Sequence, residues 1–161
     1  MNGPWIEFDV PDSKVHIDLP FEPTVIDVAN APRTLAISKS IVFARRYTSA
    51  NEALQIQLLQ AKYRPRAKVS IPNAISGMLT AVSAGKGQRV TKTVESGQLG
   101  VFEGQFVNAR IVRKDGRPLS AQAFVFVTNR QIIRLVATFV EDDPNGPRVW
   151  HRVLNSLRSQ K

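Results

Sequence analysis

The chain contains no cysteine, which excludes disulfides, thiolate nucleophiles and cysteine-bound metals and leaves the redox compartment open. Histidine is nearly as scarce, with His16 and His151 the only two. A nitrogen-ligated metal site would need both of them plus carboxylates, and no HExxH or comparable spacing supports one. GxSxG is missing, so the serines are ordinary hydroxyls without a placed base. The order GxxxxGK[ST] is missing too. Gly85 and Gly87 follow a helical repeat, and the glycines from Gly97 to Gly104 form no dinucleotide fingerprint; both groups read as turn or bulge positions. The consecutive acids Glu141, Asp142 and Asp143 lack the alternate spacing of a calcium loop. They suit a helix N-terminus, where negative charge contributes about 0.3 to 1 kcal/mol. No catalytic residue, metal or cofactor is therefore expected.

Long apolar runs are absent as well. No stretch approaches the roughly 18 residues of a membrane-spanning helix, and MNGPWIEFDV has neither a basic leader nor an apolar signal core. The expectation is a soluble chain, cytoplasmic if it is complete and of the cell envelope if a signal or lipoprotein leader has been removed.

What is present is one domain's worth of apolar sequence and an excess of positive charge. At 161 residues and 43% hydrophobic, residues 1–161 fit a single domain burying roughly 68 to 70% of its unfolded surface. The formal net charge is +9 and unevenly placed: through Asn30 one basic residue, Lys14, faces six acids, whereas the remainder holds 21 basic and 7 acidic residues. Such asymmetry steers anionic partners toward a basic face, or sets an acidic hairpin against basic neighbours.

Periodicity places the elements. Trp5, Phe8 and Val10, the turn PDSK, then Val15, Ile17 and Leu19 at period 2 predict a hairpin that ends at Pro20 and Pro23. Val25 to Arg33 is expected to be an irregular crossing. Strand character returns from Leu35 to Tyr47 and from Ala53 to Tyr63, where Leu54, Ile56 and Leu58 alternate with glutamines; a helix competes for the latter segment. Pro72 opens a helix carrying Ile75, Met78, Leu79 and Val82 and interrupted by Gly77, ending before Gly85. Strands follow over Gln88 to Glu95 and Val101 to Lys114, with a bulge expected at the early glycines. AQAFVFVT and IIRLVATFV are dense enough for central strands covered on both faces. A closing helix over about 145–158 has Val149, Val153 and Leu157 on one stripe, capped by Asp142, Asp143 or Asn145. The class is α+β, with a largely antiparallel sheet and two main helices over about 72–84 and 145–158.

The basic residues supply the binding hypotheses. Arg45, Arg46, Lys62, Tyr63, Arg64, Arg66 and Lys68 form one candidate patch, and Arg113, Lys114 and Arg117 a second; Arg110, Arg130 and Arg134 could join them across a sheet. The stretch KYRPRAK is also what a solvated strand end with a turn-forming proline looks like, since lysine and proline discourage edge pairing there. Nucleic-acid platforms add stacking aromatics to such charge, and here only Tyr47 and Tyr63 lie near the basic runs. Contact with an anionic membrane surface, at roughly 1 kcal/mol per basic residue, stays open.

WIEFDVPDSKVHIDLP resembles the opening of PsbP-like and Mog-like domains: strand, turn, strand, then proline where the chain leaves the sheet. The helix around Ile75 to Val82, the segment LGVFEGQFVNARIV, the hairpin Ala121 to Val140 and the closing RVWHRVLNSLR fit the same layout over nearly the whole chain. The resemblance implies an α/β/α sandwich around a mostly antiparallel sheet and a bacterial member of the family. Members of the family include a luminal photosystem II extrinsic subunit, a nuclear import factor that binds the GTPase Ran and bacterial envelope proteins that are often lipoproteins; this chain shows no leader cysteine of the lipoprotein form. No active site is common to them. The expected function is thus a noncatalytic binding or assembly domain contacting an acidic protein partner through a basic face, with nucleic-acid binding and an unrecognised small-ligand protein or hydrolase as alternatives.

Overall fold

The computed structural model describes residues 4–27, 41–82, 89–112 and 116–160. Its elements are β1 (Ile6–Asp9), β2 (Val15–Leu19), β3 (Thr24–Asp27), β4 (Ile41–Ala50), β5 (Leu54–Tyr63), α1 (Ile71–Val82), β6 (Arg89–Leu99), β7 (Phe102–Val112), β8 (Leu119–Thr128), β9 (Gln131–Val140), α2 (Asn145–Ser156) and β10 (Arg158–Ser159). They form a seven-stranded sheet in the order β3-β4-β5-β9-β8-β7-β6 and a three-stranded sheet in the order β1-β2-β10. Every strand pairing among the described residues is antiparallel, so the class is α+β as expected.

Period-2 parity divides the large sheet's side chains between two cores. On one face Leu54, Ile56 and Leu58 of β5, Phe124 and Phe126 of β8, and Ile133, Leu135 and Ala137 of β9 pack with Val149, Trp150 and Val153 of α2 and with Val15, Ile17 and Leu19 of β2. On the other, Val107 and Ala109 of β7, Ala121, Ala123 and Val125 of β8, and Ile132 and Val136 of β9 pack beneath Ile75, Met78 and Leu79 of α1. β9 is the middle strand of seven and serves both cores, which is why IIRLVATFV carries apolar residues at both parities.

Several details differ from the sequence reading. Thr24–Asp27 is not irregular: its β-branched Thr, Val and Ile make a short edge strand whose register with β4 runs from Thr24 opposite Thr48 to Asp27 opposite Arg45. The rest of the expected crossing and the stretch 35–40 lie outside the described residues. The glycines of β6 and β7 make no bulge, since Gly97 sits opposite Gly104 in an unbroken register. Gly104 instead permits close approach, because a Cβ there would come within 2.2 Å of the Val125 carbonyl oxygen. The irregularity lies between Ile41 and Phe43. Pro144, rather than an acid, is the cap residue of α2; the Asp143 carboxylate accepts the Asn145 N–H at 2.9 Å. The helix stops at Ser156, Leu157 turns extended, and Arg158–Ser159 join β2 as a third strand.

Not every glutamine of LQIQLLQ faces away from the apolar side. Gln60 shares the parity of Leu58 and is wholly buried. It accepts the Tyr47 hydroxyl at 3.3 Å, and its amide donates to the Pro11 carbonyl at 2.8 Å and to Gln131 Oε1 at 2.9 Å. Gln131 in turn donates to the Asp12 carbonyl at 2.6 Å. This chain of bonds satisfies the polar groups where the β1–β2 turn lies on the large sheet, and so sets where the small sheet docks.

Candidate binding surfaces

Strand parity separates the adjacent arginines Arg45 and Arg46. Arg45 points to the face that carries the small sheet, donates from Nη1 to Asp12 Oδ2 at 2.6 Å and lies 4.3 Å over the Phe43 ring. The hydrogen bond to Asp12 is the main cause that holds its pKa above the ordinary arginine value, against the opposing effect of burial. Arg46 points to the α1 face, opposite Leu59 of β5, which is itself opposite Arg134 of β9. Neither arginine of the pair is an exposed, unengaged cation.

The KYRPRAK stretch is the strand end and turn that its sequence suggests. Lys62 lies in register with Gln131, and the Tyr63 N–H donates to the Arg130 carbonyl at 3.0 Å. The chain then turns at Arg64 to Ala67, closed by the Ala67 N–H on the Arg64 carbonyl at 3.0 Å, with Arg64, Arg66 and Lys68 exposed. Antiparallel pairing brings the β8–β9 turn to the same end of the sheet, adding Arg130. Among the described residues Lys62, Arg66, Lys68 and Arg130 take part in no ion pair. Asn129 and Arg130 have φ of 48° and 59°, the left-handed pair of a two-residue hairpin in which the second position favours glycine.

The second predicted patch does not join the first. Arg113 and Lys114 lie outside the described residues. Arg117 precedes β8 at the end of the sheet where β9 finishes, whereas the β5 exit lies where β9 begins. Ten residues of β9 separate the two ends, about 30 Å of extended chain. Acids also offset the charge at the far end: Arg110 Nε donates to Glu141 at 2.7 Å, and Arg117 lies 3.8 Å from Asp142.

A cluster the sequence reading missed surrounds His16, which is buried. Its Nδ1 lies 2.7 Å from Asp9 Oδ1 and its Nε2 3.1 Å from Asp18 Oδ1. A neutral imidazole has one N–H, so both contacts are donor bonds only when the ring carries two protons. The signal was there in outline: the PDSK turn sets Asp9 opposite His16, and Asp18 follows two residues later on the same face. Ligand-type atoms of Glu7, His16 and Asp18 lie within 4.8 Å of one another, yet both ring nitrogens already have carboxylate partners. The adjoining depression of about 390 Å³ contains Ser159, but Asp18 occupies the nitrogen that a serine hydroxyl would require, so this is not the geometry of a nucleophilic triad. His151 is exposed on α2 and lines a shallow groove of about 320 Å³ with a single acid, Glu95.

No helix among the described residues is long and apolar enough to cross a membrane. Comparison with known proteins gives no matching family model and no matching curated relative. Among solved structures, a Pseudomonas aeruginosa protein of unknown function aligns over 99% of both chains at 10% identity with a TM-score of 0.49. The solution structure of cyanobacterial PsbP (CyanoP) from Synechocystis sp. PCC 6803 aligns at 11% identity over 96% of this chain and 92% of its own, with a TM-score of 0.61. Agreement over that length at so low an identity is agreement of architecture, and this chain has a PsbP-like fold.

Proposed function

We propose that the protein is a noncatalytic accessory domain, a single α/β/α sandwich, which binds an acidic protein partner through the cationic end of the large sheet at the β5 exit. The observation that carries this reading is the gathering of Lys62, Arg64, Arg66, Lys68 and Arg130 at that end, with four of the five in no ion pair among the described residues. The other basic groups named from the sequence are offset by acids, turned inward or outside the described residues. Arg130 adds support: a bulky residue kept at a left-handed turn position costs conformational energy that glycine would avoid, and such residues concentrate where surface chemistry is used. Exposed charges of this kind act chiefly on association rate and partner choice.

Pull-down from a native extract by wild type and by an Arg64→Glu/Arg66→Glu/Lys68→Glu variant tests the reading, with the folded state checked by urea melts. The expected result is a specific protein captured by wild type, lost on charge reversal and weakened by salt. Fluorescence anisotropy with single- and double-stranded probes across a salt series runs beside it. Steeply salt-dependent binding to the probes, with no protein captured, would replace the protein partner by nucleic acid.

A further inference from the structure

We propose that Arg46 and Arg134, together with Tyr63, form a binding site for a tetrahedral oxyanion of the phosphate type on the α1 face of the large sheet. The two arginines stand in one row of paired residues, on either side of Leu59. Neighbouring strands are 4.7 to 4.9 Å apart, so the two backbones are about 10 Å apart, close enough for both side chains to meet on one small ion. Tyr63 has the same parity on the intervening strand and packs among the partly buried residues of this face.

The side chains themselves point to a missing acceptor. The Nε atoms of Arg46 and Arg134 are both shielded from water and without a hydrogen-bond partner. A buried N–H left unmatched costs free energy, more so on a charged group. Arg134 is fixed under α1 by a bond from Nη1 to the Ala74 carbonyl at 3.1 Å, and a Cβ at Gly77 would stand 3.9 Å from the same Nη1. That bond takes one corner of the fork and leaves the Nε edge unused. No carboxylate among the described residues pairs with either arginine. The low-dielectric setting is felt by Arg134, whose pKa is drawn down to about 10 mainly by burial, with the positive charge of Arg46 acting in the same direction and Tyr63 opposing it. A guanidinium edge carries parallel N–H groups that match phosphate oxygens, and a dianion would balance the charges of two arginines.

This site faces α1 rather than the exposed turn, which it adjoins at Tyr63, the last residue of β5, and its test distinguishes the two. Inorganic phosphate is titrated into the wild-type protein at constant ionic strength, following the arginine Nε–H resonances by NMR and the urea midpoint. Expected are saturable shifts of two Nε–H signals, assigned through Arg46→Met and Arg134→Met, and a rise in midpoint that either substitution reduces at least tenfold in apparent affinity. Arg64→Ala/Arg66→Ala should leave the response unchanged. Acetate at equal ionic strength should reproduce little of it. The proposal is overturned if the Nε–H signals do not move, if the response persists in both Met variants, if it is lost in the Arg64/Arg66 variant, or if acetate matches phosphate. Should a Met variant fail to fold, Arg46→Lys and Arg134→Lys, which keep the charge but lack the guanidinium Nε–H, assign the two signals, and a site elsewhere would leave those signals unshifted.

Discussion

Gly77 and Gly146 lie in different helices, and replacing each with alanine should move stability in opposite directions. In α1 a Cβ at Gly77 would have Arg134 Nη1 as its nearest neighbour, at an ordinary 3.9 Å. Alanine there gains helix propensity of up to about 1 kcal/mol without a clash. In α2 a Cβ at Gly146 would stand 2.2 Å from Phe139 Cδ2 and 2.4 Å from Cγ, against an optimum of about 3.5 to 4.0 Å for carbon pairs. Phe139 is 3% exposed within the α2-side core and has no open solvent to swing into. Overpacking of that kind costs about 1 to 3 kcal/mol, and the propensity gain is smaller at the second residue of a helix. Gly146→Ala should therefore lose roughly 1 to 2 kcal/mol while Gly77→Ala gains roughly 0.5 to 1 kcal/mol. Urea unfolding at unchanged m-value measures both, and thermal midpoints should separate by several degrees, at about 2 to 4 °C per kcal/mol for a chain of this size. A Gly146→Ala protein as stable as wild type would refute the packing of α2 against β9 described above.

Gln60→Leu should destabilise by roughly 2 to 4 kcal/mol, since it strands the Pro11 carbonyl, the Gln131 amide oxygen and the Tyr47 hydroxyl at about 1 to 3 kcal/mol for each group that stays buried. Hydrogen exchange should quicken at the β1–β2 turn before the rest of the sheet, and uniform loss of protection would contradict the docking role. Arg130→Gly should raise the urea midpoint by the equivalent of about 0.5 to 1 kcal/mol through relief of the left-handed turn position, yet weaken partner capture; a destabilised variant would rule out the strain. Arg134 keeps its proton in both states well below pH 10, so the burial penalty is fully present there. Above its folded value of about 10, and up to the higher value of an ordinary arginine, the unfolded chain binds more protons and stability rises with pH. The stability of wild type relative to Arg134→Met should accordingly improve from pH 9 to pH 11 in urea melts, and a constant difference would argue against the shift.

Element types were legible because they rest on short-range pattern. Val149 and Val153 mark the stripe of α2, and the parity of Leu54, Ile56 and Leu58 was enough to prefer a strand over the competing helix. The misreadings came where a local signal had a long-range purpose. Gly104 resembled a bulge glycine, but its lack of a side chain serves the Val125 carbonyl on the neighbouring strand. Gln60 ends a run whose glutamines alternate with apolar residues, yet it shares the parity of Leu58, and its partners, Pro11 and Gln131, are 49 and 71 residues away. Thr24–Asp27 followed two prolines closely and became a strand only because β4 offers it an edge.

The sequence by itself determined the α+β composition, the two helices, the central strands and the reading of KYRPRAK as a strand end with an exposed basic turn. Tertiary structure decided what the charges do. Parity alone separates Arg45 from Arg46, but sheet order and register decide that one meets Asp12 while the other shares a row with Arg134. The same pairing sends Arg117 to the opposite end from Arg66 and sets His16 between two carboxylates. The physical reason is range: propensity and periodicity act over a few residues, whereas charges act through space, and only the pairing of distant strands brings them together.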